Sequence, residues 1–165
     1  MSTPVQTQIL DEIGNRLALI TTANGYLART PKKIERSRMT PFKAGDLPFI
    51  NYYSTGDTLV GKEYGTFEKR VMSVVIECYD QTRDQVFDDL AQKLGANILV
   101  AINRAVSAPA VSDNPSVRLG DLVTQVEAVS ITPAISEGQK PYVGIVIVLD
   151  ITYKVDKLNM FTLVY

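Results

Sequence analysis

The chain has 165 residues, 17 basic and 18 acidic side chains, a net charge of −1, one cysteine and no histidine. This length suits one domain, 1–165, that buries roughly 68–70% of its unfolded surface, and the balanced charge gives no electrostatic case for nucleic acid as a partner. Without histidine there is no Ser-His-Asp or Cys-His pair and zinc loses its commonest nitrogen ligand, while a lone cysteine excludes an intramolecular disulfide and thiolate clusters.

The first element is a helix. Thr3 is placed to cap it, with Pro4 at the first helical position, where a missing N–H does no harm. Val5, Ile9, Ile13, Leu17 and Ile20 form one stripe with Leu10 beside it, while Gln8, Asp11, Glu12, Asn15 and Arg16 fall on the wet side. Asn24-Gly25 ends the run as a turn, because both residues tolerate positive φ. The start of the chain has no basic segment followed by an apolar run, so no signal peptide is expected. No apolar run approaches the roughly 20 residues needed to cross a bilayer, so no membrane partner is expected.

Residues 26–46 form a polar, basic arm with Arg29, Lys32, Lys33, Arg36, Arg38 and Lys43. Ile34 among these charges predicts a short edge strand near 33–38, of the kind that charges protect from sticking. The arm reads either as an electrostatic contact for an acidic partner or as a solvated surface segment. Leu47 to Tyr53 is the next strand, with Pro48 at its beginning. Gly56, Gly61 and Gly65 mark 54–65 as a turn-rich loop. Residues 66–80 then read as a long strand. Met72, Val74, Ile76 and Cys78 share an apolar face suited to helices, and Val71, Ser73, Val75, Glu77 and Tyr79 share a mixed one. Cys78 reads as a small core residue.

Thr82 to Gln85 has the form of a capping box and opens a helix over 84–106. Its stripe is Val86, Leu90, Leu94, Ile98 and Ile102, and Gly95 within it predicts close packing against a neighbour. Pro109 stops the helix, and 107–118 reads as a surface connection. A strand follows over 119–133, then a hairpin-like loop from Pro133 to Pro141. Tyr142 to Leu149 reads as a central strand buried on both faces, continued by Asp150 to Lys154. The apolar end, with Phe161, Leu163 and Tyr165, either packs on its own domain or pairs with a neighbour's edge.

Chemistry-bearing motifs are absent from this pattern. Neither GxGxxG nor GxxxxGK[ST] occurs, and Asp88-Asp89 reads as a dipole complement on a helix's polar face. No catalytic residue, metal ligand or cofactor is assigned, and periodicity alone supports an α+β domain.

The order of features carries more. A helix, QILDEIGNRLALI, runs into Thr22-Ala23-Asn24-Gly25-Tyr26, and a basic edge segment follows at Ile34-Glu35-Arg36. Next come Leu47-Pro48-Phe49-Ile50, the strand 69–79, the helix 84–102 and a closing strand ending in Ile151-Thr152-Tyr153-Lys154. This order resembles the tail terminator (tail completion) proteins of long-tailed bacteriophages and related prophages. The segments 54–65 and 157–165 have no counterpart in it.

The resemblance implies a single layer of mostly antiparallel sheet with two main helices packed on one face. It also implies a virion structural protein rather than an enzyme, assembled in the host cytoplasm as a hexameric ring that caps the tail tube. Its partners would be copies of itself, the tail tube protein and a head-tail connector or neck protein. Candidate subunit contacts are Arg29, Lys32, Lys33, Arg36 and Arg38 of the arm and Phe161, Leu163 and Tyr165 of the C-terminus. A connector or tube protein is the near alternative. A small α+β enzyme or ligand-binding domain, with a site under the 107–118 or 54–65 loop, is the different-class alternative.

Overall fold

The apolar stripes become the inner faces of two helices and a six-stranded sheet. The structure, a computed structural model, describes residues 3–26, 28–62, 65–81, 86–103, 119, 122–135 and 142–163. The order is α1 (Val5–Leu17), β1 (Lys33–Arg36), β2 (Phe49–Lys62), β3 (Phe67–Asp80), α2 (Phe87–Asn103), β4 (Gln125–Ile135), β5 (Val143–Asp156) and β6 (Asn159–Leu163). Across the sheet the order is β1-β2-β3-β5-β4, with β6 folded back onto the end of β5. Only β1 and β2 run parallel; every other pair is antiparallel. This is the expected α+β architecture, with both helices on one face.

Alternation decides that face. In β3, Met72, Val74, Ile76 and Cys78 are buried, and in β5 so are Val143, Ile145, Ile147, Leu149, Ile151, Tyr153 and Val155. They meet Val5, Ile9, Ile13 and Leu17 of α1 and Leu90, Leu94, Ile98 and Ile102 of α2. Each such Leu, Ile or Val contributes about 1.5–3 kcal/mol when fully buried. Gly95 lies buried on this seam, but a side-chain carbon there would stand 3.5 Å from Ile145 Cγ1, an ordinary contact distance, so the approach of α2 to the sheet does not require a glycine.

Several expectations need correction. Pro4 is the N-cap of α1 rather than its first helical residue, and no side chain caps this end. Arg16 is not on the wet side: it is fully buried, donating through Nε to Glu12 at 2.9 Å and through a terminal nitrogen to the Ile102 carbonyl. It thereby satisfies a late carbonyl of α2, where a helix favours positive charge. Residues 54–62 are not a loop. They continue β2 through two bulges, between Ser54 and Gly56 and between Leu59 and Gly61, and the glycines mark those bulges rather than turns.

The second helix also starts later than predicted, and Val86 lies outside the core at 66% exposure. The capping-box residues Thr82 and Gln85 and the 107–118 connection lie outside the described residues. β4 begins at Gln125, and Pro133 belongs to it, opposite Ile145. Val146 and Val148 are only half-buried, so β5 is covered on one face and not on both. The backbone of 159–163 pairs with β5 of its own chain.

Candidate functional surface

The arm lies along the β2 side of the sheet, and internal partners hold it there. Arg29 clasps the buried carboxylate of Asp80, donating through Nε at 3.1 Å and through a terminal nitrogen, and also donates to the Gln81 carbonyl at 2.6 Å. Lys32 donates to the Gly45 carbonyl at 3.3 Å, and Arg36 meets Asp11 of α1 at 2.9 Å. Lys33 pairs with Asp46 at 2.7 Å. The Lys33 hydrogen bond, helped by the Lys43 backbone N–H, holds the Asp46 carboxyl down at about 2. Arg38 bonds Glu35 at 2.9 Å and lies 5.1 Å over the Phe49 ring. All five predicted arm residues are therefore engaged within the chain. Phe161 and Leu163 fall in β6, and Tyr165 lies outside the described residues.

The last part of the arm, 37–46, crosses the sheet face opposite the helices, at one end. Phe42 stacks on Tyr79 at 4.8 Å and on Phe49 at 5.8 Å and meets Tyr142 edge-on at 5.3 Å. Burial among these rings, with Glu77 nearby, pushes the Tyr79 phenol up to about 12. Past this aromatic clasp, Val71, Ser73, Val75, Val146, Val148 and Asp150 stay half-buried, and no described element packs over them. The expectation of one apolar face and one mixed, partly covered face is met.

Between clasp and bare sheet lies an open groove of about 460 Å³, lined by Ser37, Arg38, Met39, Asn51, Tyr53, Ser54 and Glu77. Glu77 accepts from Asn51 Nδ2 at 3.3 Å and from the Tyr53 hydroxyl at 3.2 Å, and Asn51 Oδ1 accepts from the Arg38 backbone N–H at 3.0 Å. Burial, and then the Glu77 charge, raise the Tyr53 phenol. Among the described residues, no group of three or more acidic or cysteine side chains is placed to hold a metal ion.

The chain matches no protein-family model and no curated protein. Among the described residues, no helix is long and apolar enough to cross a membrane.

On the helix face, a polar cluster closes the core. Asp57 accepts from the Tyr153 hydroxyl at 2.6 Å, Gln6 Nε2 at 2.9 Å and Arg70 Nε at 3.1 Å. Arg70 also donates to Glu68 at 2.9 Å. Burial works against the Arg70 charge, but its bonds to Asp57 and Glu68 outweigh that and raise its pKa. Burial and the Asp57 bond raise Tyr153 strongly. Sequence reading singles out neither Asp57 nor this role for Tyr153. Their partners lie far apart in sequence, and the Ser54/Gly56 bulge places Asp57 on the inner face against local alternation. Glu77 was visible only as a charge on the mixed face of β3.

Proposed function

We propose that the chain is a structural subunit that assembles with copies of itself, a tail terminator of a long-tailed phage. Its ring would cap the tail tube, stop its polymerisation and offer a docking surface to the head or neck. The observation that carries this reading is one-sidedness. Both helices cover a single face of the sheet, while half-buried valines on the other face and apolar side chains along its edges lie open. Such surfaces fit contact with other protein subunits. The element order α1, basic β1, long β2–β3 hairpin, α2 and closing β5 also follows the pattern of the resemblance. On this reading the protein belongs to the virion tail and acts by geometry: a ring added to the last tube ring no longer presents the polymerising contact. A connector or tube protein would share these features.

Light scattering and negative-stain images of the same peak test the proposal, followed by mixing with tube protein. The expected result is a sixfold ring, found at tube ends and stopping their growth. A monomer that leaves tube length unchanged would overturn it. A ligand-binding domain is the second reading, favoured by the groove over Glu77. Saturable binding of a small molecule there by a monomer would support that reading instead.

A further inference from the structure

The sheet has two open edges on opposite sides. β1 covers β2 only from Phe49 to Tyr52, and no described segment pairs with the outer edge of β2 from Ser54 to Lys62. On the far side, no described segment pairs with the outer edge of β4. Apolar side chains lie out along both: Val60 is 53% exposed and Leu59 39% on β2, Val129 53% and Ile131 50% on β4. An unpaired edge presents rows of backbone donors and acceptors that another strand can satisfy, and monomeric proteins usually blunt such edges. The bulges in both strands do some blunting, and Pro133 limits the usable part of β4 to Gln125–Thr132, which holds one bulge between Ala128 and Ser130.

Strand direction selects the partner. From β2 through β3 and β5 to β4, every neighbour is antiparallel, so β2 and β4 run in opposite directions. Rotation about an axis along the strands preserves direction. It therefore brings β4 of one copy antiparallel to β2 of the next, which is the more stable pairing. Such a contact is heterologous, joining two different surfaces, and builds a ring when the rotation between copies closes.

We infer that the occupant of these edges is a second copy of this chain, joined head-to-tail by antiparallel pairing of its β4 edge with the β2 edge. This rests on the reading of the chain as a ring subunit and names the contact that builds the ring.

The test uses the full chain with Val60→Asp and Val129→Asp made separately, both at exposed positions, with circular dichroism to check that each folds. Wild type is expected to be a ring by light scattering, and each variant alone a monomer. A 1:1 mixture keeps one intact β2 edge and one intact β4 edge and is expected to stop at a heterodimer. Folded variants that keep the wild-type mass, variants that each form a homodimer, or a wild type that is monomeric at all concentrations would each overturn the inference. A ring that Val60→Asp dissolves but that leaves tube growth unchanged keeps this contact and removes the terminator reading. A ring that caps tubes yet ignores both substitutions does the reverse.

Discussion

The ring of Tyr79 fills the space that a side chain at Gly144 would occupy. The two residues are opposite each other on β3 and β5, so the missing side chain on one strand lets the aromatic clasp of the other lie against the sheet. Gly144→Ala is expected to push Tyr79 out of its stack with Phe42 and to destabilise the protein by about 1–3 kcal/mol, as overpacking does. Urea denaturation should show a lower midpoint with an unchanged slope.

Gly95 carries the opposite prediction. A side-chain carbon there would stand 3.5 Å from Ile145 Cγ1 and 3.9 Å from Ile131, ordinary contact distances. Gly95→Ala relieves the helix penalty of glycine and should stabilise by about 0.5–1 kcal/mol. A fall in melting temperature would show instead that α2 has no room to accept a methyl.

Asp57 is the acceptor for three side chains, Tyr153, Gln6 and Arg70. Tyr153→Phe removes one bond and leaves Asp57 two others, so about 1 kcal/mol should be lost. Asp57→Ala strands the buried Tyr153 hydroxyl and frees Arg70, so a loss of about 2–4 kcal/mol is expected. Chemical denaturation of both variants checks the order; a larger loss for Tyr153→Phe would contradict it.

Alkaline pH should loosen the fold. Burial raises the phenols of Tyr52, Tyr53 and Tyr153, and takes Tyr79 to about 12. An unfolded tyrosine ionises near pH 10. The native state therefore favours the neutral form, and its stabilisation is complete below pH 10 and is lost as pH rises through 12. Ultraviolet titration of phenolate should show these residues ionising late in native protein and near pH 10 in denaturant. Coincident curves would refute the shift.

Much of the fold is legible in local pattern. Met72, Val74, Ile76 and Cys78 read as a buried face by alternation, and α1 and α2 read by their stripes, because burial of one side imposes the period. What fails is whatever depends on distant partners. Arg16 reads as wet because it is charged, yet the end of α2 accepts it. Val146 and Val148 read as covered because they are apolar, but cover is a tertiary matter and both helices lie on the other face. The arm residues stand out correctly as charges, but their intrachain partners Asp11, Asp46 and Asp80 are not local signals. The groove over Glu77 joins β2, β3 and the crossing segment, and no stretch of sequence contains it.

The paired bulges of β2 act as a phase shift and its correction. Before Ser54 the inward residues are Ile50 and Tyr52; between the bulges they are Asp57 and Leu59, opposite Met72 and Arg70; after Gly61 the original parity returns. A short window of one strand thus runs half a period out of step without disturbing the rest of the sheet. Removing Thr55 alone would flatten the first bulge and leave the pairs from Gly56 with Ser73 to Lys62 with Glu68, and the faces they set, as they are. Removing one residue from each bulge would keep the sheet in step end to end, with a shorter and straighter hairpin.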